Sequence, residues 1–187
     1  MTVPCELRTA RLLLRPHRQE DIPAIVQLAG AREIAATTLG IPHPYIDEDA
    51  RKFLAKSEDD FHAGRSVSFA ICKLPGGELC GGAGLDISET HQRAELGYWI
   101  AVPFWGMGYA TEAARAVVEF GFATLGLHRI HAHYFAENKA SGRVLEKIGM
   151  RHEGRLRNHF RKWNRFIDVE NCGMLAEEFF SKEPSRS

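Results

Sequence analysis

A pair of glycines at the start of a helical pattern constrains this chain more than any other feature. Gly106 and Gly108 stand two residues apart in FWGMGYATEAAR, and the helical pattern begins directly behind them. The first backbone N–H groups of a helix have no partner inside the helix, and the helix dipole makes that end positive. Glycines leave such a backbone open to a ligand. The stretch therefore predicts an anion site, most naturally for phosphate, with a ligand-free tight turn as the alternative.

The glycine pair does not match the two best-known phosphate motifs. A P-loop requires Gly-Lys-Ser/Thr, which does not follow Gly108. The dinucleotide fingerprint G-x-G-x-x-G has Thr111 where its third glycine should stand. Its acidic residue belongs about 20 residues farther on, whereas Glu137 comes 31 residues after Gly106. A dinucleotide-binding oxidoreductase is therefore kept only as an alternative.

Size and composition limit the class of protein. With 187 residues, 44% of them hydrophobic, we expect one globular domain over residues 1–180 and a flexible tail over residues 181–187. A formal net charge of zero argues against general nucleic-acid binding. No apolar run approaches the roughly 18 residues of a membrane span, and the N-terminus lacks a signal-peptide pattern. We expect a cytoplasmic protein without a membrane partner, either a monomer or a homodimer.

Hydrophobic periodicity predicts an α/β fold with the element order β-α-α-β-β-β-α-β-α-β-β and a mixed sheet. Helices are predicted from Asp21, over residues 47–61, over residues 109–125 and after Asn138, while residues 31–46 read as irregular. The clearest predicted strands are SVSFAICK, residues 78–87, residues 93–102, RIHAHYF and a final hairpin.

Two longer stretches, ELGYWIAVPFWGMGYATEA and GLHRIHAHYFAENKASGRVLEKIGMRHEG, occur in this order. Together they resemble the GNAT acyltransferases, and most closely the branch that acetylates the N-termini of ribosomal proteins. The resemblance extends from RTARLLLRP to about Leu175. It implies an acetyl-CoA-dependent N-acetyltransferase, with a single-domain, mostly antiparallel sheet flanked by helices, in which two parallel strands splay apart. The family's loop pattern, Q/R-x-x-G-x-G/A, is matched at both glycines and departs at Pro103.

The resemblance also implies which residues hold acetyl-CoA. Backbone amides of the glycine loop and the first helical turn would hold the diphosphate, which agrees with the anion site read from the residues alone. These amides belong to Gly106, Met107, Gly108, Tyr109, Ala110 and Thr111. Ile100, Ala101 and Val102 would pair like a strand with the pantetheine arm. Asn138 would cap its helix and hold the pantetheine, with Ser141 beside it.

Acyl transfer to an amine needs a proton acceptor for the amine and a proton for the leaving thiolate. Glu95 is the candidate base, because an acid between apolar neighbours in AELGYW could have a raised pKa. Its alternative is a solvated carboxylate paired with Arg93 or His91. Glu112 is the rival acid, but it stands in the first turn of a helix, where a carboxylate simply favours the dipole.

Ser141 is the candidate acid, and this role is implied by the resemblance. Many GNAT enzymes have a tyrosine seven residues after the asparagine equivalent to Asn138, and here that position holds Leu145. The branch that acetylates N-termini instead has a serine three residues after the asparagine, where Ser141 stands. Alternatively, Ser141 only positions the thiol or a water, or helps to cap the helix.

Two further clusters have several interpretations. His131 and His133 form an H-x-H pair that could bind metal, but no carboxylate or cysteine spacing nearby completes a site, so we expect a half-exposed strand face and no metal. An aromatic and basic cluster surrounds the last hairpin. It could contact RNA, the acceptor or a second subunit, or be a solvated tip, and it comprises Phe160, Trp163, Phe166, Arg157, Arg161, Lys162 and Arg165.

The expected reaction is direct attack of a primary amine on the thioester, without a covalent enzyme intermediate. The acceptor is a protein N-terminus, a polyamine, an amino acid or an antibiotic, and residues 32–46 and the hairpin tip would shape its site. A non-catalytic acyl-CoA-binding sensor is the alternative outside the enzymes.

Cys72 and Cys80 lie at equal distances from Gly76 in the predicted hairpin. They are therefore predicted to face each other directly, close together but unbonded, as small apolar residues.

Overall fold

The computed structural model describes residues 6–181. The first half of the chain contains most of the strands. The elements are β1 (Leu7–Arg8), β2 (Leu12–Arg15), α1 (Ile22–Ala29), α2 (Arg32–Thr37), α3 (Asp47–His62), β3 (Ser66–Lys73), β4 (Glu78–Ser88) and β5 (Arg93–Ile100). The second half supplies α4 (Tyr109–Ala123), β6 (Arg129–Phe135), α5 (Lys139–Ile148), β7 (Arg151–Lys162), β8 (Arg165–Leu175) and α6 (Ala176–Phe180).

The strands form one eight-stranded sheet in the order β1-β2-β3-β4-β5-β6-β8-β7. Among the described strands, β5 and β6 are the one parallel pair, and every other neighbouring pair is antiparallel. The predicted fold class, a mixed and mostly antiparallel sheet flanked by helices, is confirmed. No helix within residues 6–181 is long and apolar enough to cross a membrane.

Every predicted element is present, and three short ones are added. They are β1, α2 and α6. The interpretation of residues 31–46 as irregular is wrong over Arg32–Thr37, where the hydroxyls of Thr37 and Thr38 donate to the Ile34 carbonyl at 3.1 and 2.9 Å and close the last turn. The predicted tail lies outside the described residues, apart from Ser181.

The two larger apolar cores lie on opposite faces of the sheet. One packs beneath α4 and α5, and its fully buried members include Leu85, Val117, Ile130 and Leu145. The other packs beneath α1 and α3. Along β5 the side chains alternate between these two cores. Leu96 and Ile100 join the α4–α5 core, while Trp99 packs against the α1–α3 core.

The predicted direct pairing of Cys72 with Cys80 is wrong. Cys72 lies opposite Leu79, and a register shift between Ile71 and Cys72 leaves Cys80 without an opposite partner. A bulge inserts one extra residue into a strand and so turns the next side chain to the other face. Cys72 consequently joins the α1–α3 core and Cys80 the α4–α5 core. Both thiols are unbonded, as predicted.

Candidate active site

A cavity opens where the two parallel strands separate. The pairing of β5 with β6 runs from Arg93 opposite Arg129 to Glu95 opposite His131, and it stops there. Beyond this point lies a cavity of about 470 Å³, walled by β5, β6, the first turn of α4 and one side of α5. The splayed strands implied by the resemblance are therefore confirmed. We call this space the strand-gap cavity.

The glycine turn closes one end of the strand-gap cavity. Gly106 has a φ of +77° and Gly108, the N-cap of α4, a φ of +81°. Both values lie in the left-handed region, which glycine adopts without strain. No other atom lies within 4 Å of the position that a Cβ would take at Gly106. The backbone is thus open at a helix N-terminus, as an anion site requires.

The strand before this turn is shorter than predicted. Residues 93–102 were expected to be extended, but β5 ends at Ile100, and a short 3-10 helix covers Val102–Phe104. The N–H of Ala101 donates to the Cys80 carbonyl at 2.9 Å. The carbonyl of Ile100 accepts the indole N–H of Trp105 at 2.6 Å. These two backbone groups are therefore already paired, and the strand-like pairing of a pantetheine arm with Ile100, Ala101 and Val102 stays a prediction.

Most of the residues predicted to hold the cofactor line the strand-gap cavity. They are Ile100, Gly106, Gly108, Tyr109, Ala110, Thr111, Asn138 and Ser141. Ala101, Val102 and Met107 are not among its lining residues. Ala101 is 0% exposed in the core, and Met107 turns its side chain outward with 49% exposed.

Basic side chains that the sequence reading missed lie around the glycine turn. Arg143 and Lys147 of α5 line the cavity. The Arg11 guanidinium donates to the Met107 carbonyl at 2.9 Å and lies over the Tyr109 ring, 4.9 Å from its centre. Arg143 and Lys147 follow Asn138 on one amphipathic helix, a signal that could have found them. Arg11 is far away in the chain and carried no local signal.

Glu112 has the structural role that its position in a helix suggested. Its carboxylate accepts hydrogen bonds from the Thr9 hydroxyl at 2.7 Å and from the Arg11 backbone N–H at 2.9 Å. Burial alone would raise the pKa of Glu112, but these bonds and the Arg11 side chain lower it. The carboxylate therefore fastens the turn before β2 to the start of α4.

The first turn of α5 brings two hydroxyl groups together. The side-chain oxygen of Asn138 accepts the Ser141 N–H at 3.2 Å, which confirms the predicted cap. The Ser141 Oγ lies 2.8 Å from the Tyr98 hydroxyl. Burial raises the pKa of Tyr98 to about 12. Leu145, which stands where many GNAT enzymes have a tyrosine, is 0% exposed and has no hydroxyl to donate a proton. Tyr98 was missed because only tertiary packing brings β5 against α5.

Glu95 is held between two histidines of β6. Its Oε1 lies 2.7 Å from His133 Nδ1, and its Oε2 lies 3.6 Å from His131 Nε2. Interactions with His131 and His133 hold the pKa of Glu95 far below its usual value. The expected raised pKa is wrong, and so are the expected partners Arg93 and His91. The expectation of no carboxylate near the histidines also fails, because β5–β6 pairing is not visible in the local sequence.

No group of three or more metal-ligating side chains suited to a metal ion occurs within residues 6–181.

A second cavity of about 500 Å³ lies between the sheet and helices α1 and α3. We call it the α1–α3 cavity. It shares Thr38, Gly97, Tyr98 and Trp99 with the strand-gap cavity, so the two spaces meet at β5. Its walls also include Phe53, Ser68 and Asp86, the last directly opposite Glu95 in the sheet.

The loop after α2 and the last hairpin meet beside these cavities. The Lys162 ammonium, which is 9% exposed, donates to the carbonyls of Thr38 and Ile41. Phe160 packs on the His133 ring, 5.3 Å between centres. Trp163 and Phe166 are instead exposed. The aromatic and basic cluster is therefore divided between the site and the hairpin surface.

An open mixed sheet, a gap between its two parallel strands and a bare helix N-terminus at the end of that gap define an acyl-CoA-dependent transferase. Comparison with known proteins agrees. The family model described as an acetyltransferase (GNAT) domain matches residues 11–151. The chain belongs to this GNAT family and is an acetyl-CoA-dependent N-acetyltransferase. The alternatives of an oxidoreductase and of a non-catalytic sensor are thereby set aside.

Individual relatives span nearly the whole chain. The N-acetyltransferase p20 of Bacillus licheniformis is 30% identical over 92% of this chain and 97% of its own length. Spermidine N(1)-acetyltransferase of Vibrio cholerae is 26% identical over 92% of this chain and 98% of its own.

Solved structures show the same architecture. A GNAT-family acetyltransferase from Bacillus anthracis superposes with a TM-score of 0.83 at 27% identity, covering 93% of this chain and 100% of its own. The ribosomal L7/L12 alpha-N-protein acetyltransferase RimL, solved with coenzyme A, also gives a TM-score of 0.83, at 19% identity, covering 91% of this chain and 98% of its own. At that identity the likeness shows the fold alone.

Proposed function

We propose that this protein acetylates the α-amine of a peptide or protein N-terminus, with acetyl-CoA held in the strand-gap cavity. The observation that carries the proposal is this cavity, which ends on the open amides at the start of α4 and meets the α1–α3 cavity at β5. Two substrates can therefore enter from opposite sides of one strand.

The residues on the cavity wall suit the chemical groups of acetyl-CoA. The backbone from Gly106 to Thr111 offers N–H groups and the positive end of the α4 dipole to the diphosphate. Arg143 and Lys147 add positive charge on the same wall. Asn138 and Ile100 line the space for the pantetheine arm. Bound there, acetyl-CoA supplies an activated acyl group to the acceptor.

The paired hydroxyls of Tyr98 and Ser141 suit protonation of the leaving thiolate. With a pKa raised to about 12 by burial, the Tyr98 hydroxyl keeps its proton at neutral pH. It can donate that proton to the Ser141 Oγ, 2.8 Å away, which leaves the Ser141 proton free for the sulfur. Ser141 is therefore proposed as the acid and Tyr98 as its support, while Glu95 takes part in removing the amine proton.

The class of amine substrate is proposed from the strength of the base that the site offers. A free α-amine has a pKa of about 7.7–8.0 against about 10.4 for lysine, so an α-amine needs only a mild base. A polyamine is the second candidate. It is favoured by Asp86 and Glu95, two carboxylates directly opposite one another in the sheet, since such a pair suits a second ammonium group. The RimL and spermidine enzymes act on these two kinds of amine.

An acceptor screen tests the proposal. Thiol release from acetyl-CoA would be followed with peptides that begin with Ala or Ser, with the same peptides N-terminally blocked, and with spermidine and single amino acids. Turnover with free but not blocked peptides is the expected result. If spermidine supports turnover and the peptides do not, the substrate class would instead be polyamines. Thiol release that no amine accelerates would overturn both.

A further inference from the structure

One histidine of β6 stands on the wall of the strand-gap cavity, with its two nitrogens in different surroundings. His133 Nδ1 lies 2.7 Å from Glu95 Oε1. Its Nε2 has no hydrogen-bond partner among the residues that the structure describes. The ring is 27% exposed and packs against Phe160. One imidazole nitrogen therefore contacts a carboxylate, whereas the other has no polar partner among the described residues.

The surroundings of Glu95 make it a poor proton acceptor and a good orienting group. Its two histidine neighbours hold the pKa of its carboxyl far below the usual value, so it stays ionised and resists protonation. An ionised carboxylate at hydrogen-bond distance favours a proton on the facing nitrogen of an imidazole. In His133 that nitrogen is Nδ1, and the lone pair is then left on Nε2.

We propose that His133 is the proton acceptor for the amine and that Glu95 is its positioning residue. A histidine oriented by a carboxylate in this way is the general base of many acyl-transfer sites. The inference rests on the proposed function, because it assigns a role within that acetyl transfer.

The proton and electron balance of the step is complete. The amine nitrogen attacks the thioester carbonyl carbon and forms the C–N bond, while its proton passes to His133 Nε2. The C–S bond then breaks with its electron pair on sulfur. The thiolate takes a proton from the Ser141 hydroxyl, which regains one from solvent, and His133 returns its proton to solvent. No metal, oxidant or reductant is consumed.

His131 provides a matched control on the same strand. It contacts the same carboxylate, at 3.6 Å, and is 28% exposed, close to the value for His133. It differs in not lining the cavity. Its Nδ1 is buried without a hydrogen-bond partner in the described part of the chain. A loss of activity that came only from disturbing the Glu95 cluster should therefore appear in variants of both histidines.

Kinetics of His133→Ala and His131→Ala, with the acceptor found in the screen, separate the two explanations. General base removal costs about 10²- to 10⁴-fold in rate, so we expect a loss in this range in kcat for His133→Ala. The His133→Ala variant should keep the wild-type Kd for acetyl-CoA, and added imidazole should restore part of its rate. His131→Ala should lose less in kcat than His133→Ala, because it disturbs only the neighbour of Glu95, and it should gain nothing from imidazole.

The role of Glu95 is tested by nitrogen-15 NMR of the histidine rings. Wild-type His133 should show the tautomer protonated at Nδ1, and Glu95→Ala should shift this ring toward the Nε2-protonated form. Glu95→Ala should also lower kcat, with a smaller effect on the Kd for acetyl-CoA.

Three outcomes would overturn the inference alone, with acetyl transfer intact. They are wild-type kcat in His133→Ala, equal losses without imidazole rescue in both histidine variants, and a His133 tautomer that does not respond to Glu95→Ala. No turnover of any amine by the wild-type protein would instead overturn the proposed function, and the inference with it.

Discussion

At the scale of single residues, burial sets the charge of His17 at the wall of the α1–α3 cavity. Its Nε2 contacts the Ser68 hydroxyl at 3.2 Å and its ring meets Phe53 edge-on, while its Nδ1 has no partner among the described residues. Burial, only partly offset by Asp21, lowers the pKa of His17 from 6.5 to about 4. The neutral ring is therefore the form that the folded protein accommodates.

This shift makes the stability of the fold depend on pH. The unfolded chain binds a proton at His17 near pH 6.5, whereas the folded chain binds it only near pH 4. The contribution is thus fully present above pH 6.5 and is lost as the pH falls toward 4. We expect His17 to account for a loss of up to about 3 kcal/mol in the free energy of unfolding over this interval.

The substitution His17→Gln should remove this part of the acid sensitivity, because the amide does not titrate and can still bond to Ser68. Urea unfolding at intervals from pH 7 to pH 4 would measure it, with His62→Gln as the control, since His62 is 69% exposed. Wild type and the His62 variant should lose stability in parallel, and the His17 variant should lose less. Three parallel curves would contradict the assignment.

At the scale of elements, the glycine turn before α4 should control cofactor binding. Gly106→Val places a β-branched side chain at a φ of +77°, in the space open to the diphosphate. We expect the variant to lose the rise in Tm that acetyl-CoA gives the wild type, because a ligand that binds only the folded state stabilises it. Differential scanning fluorimetry with and without acetyl-CoA measures this shift.

Gly126→Val separates backbone strain from loss of the site. Gly126 has a φ of +65° and open space around it, like Gly106, but it lies beyond the end of α4 and does not line the cavity. Both variants should melt below wild type, and only the Gly126 variant should still respond to acetyl-CoA. An undiminished response in Gly106→Val would mean that the diphosphate lies elsewhere.

A substitution at Ser141, in the first turn of α5, should have a milder effect on kcat than His133→Ala. In Ser141→Ala the cap is kept, because Asn138 accepts the backbone N–H of residue 141 and not its hydroxyl. The variant loses the bond to Tyr98, worth about 1 kcal/mol. We expect a smaller fall in kcat than in His133→Ala, since water can also protonate a thiolate, and little change in the Kd for acetyl-CoA.

Ser141→Thr, which keeps the hydroxyl, should restore part of the rate lost in Ser141→Ala. If Ser141→Ala instead loses acetyl-CoA binding, measured by isothermal titration calorimetry, Ser141 positions the cofactor and is not the acid.

The order of elements and the glycine turn could be predicted because they depend on local patterns. Periodicity, the cap at Asn138 and the glycines each act within one turn or one strand. The errors arose where distant segments meet. The partners of Glu95 and the hydroxyl pair of Tyr98 with Ser141 depend on which elements pack together. The bulge beside Cys72 changed a register that counting from the turn could not detect.

At the scale of the whole molecule, one sheet separates the two larger cores, and both contain buried cysteine thiols. Cys72 lies in the α1–α3 core with 1% exposed, and Cys80 in the α4–α5 core with 0% exposed. Burial raises the pKa of both thiols, that of Cys80 to about 12. A thiol reagent should modify neither residue in the folded protein. Both side chains are buried, and the raised pKa leaves little of the reactive thiolate form. Their labelling therefore reports how the molecule opens.

A single domain should expose both thiols in the same opening event. The two cores share β3 and β4, so the α1–α3 layer cannot separate from the sheet without uncovering part of the strands that the other core needs. We expect Cys72 and Cys80 to be alkylated at equal rates under native conditions, and saturating acetyl-CoA to slow both equally, since it stabilises the folded state as a whole. Pulsed alkylation followed by peptide mass spectrometry measures each site separately. Faster labelling of Cys72, unaffected by acetyl-CoA, would show that the helices over the α1–α3 cavity open independently and that residues 6–181 are not one cooperative unit.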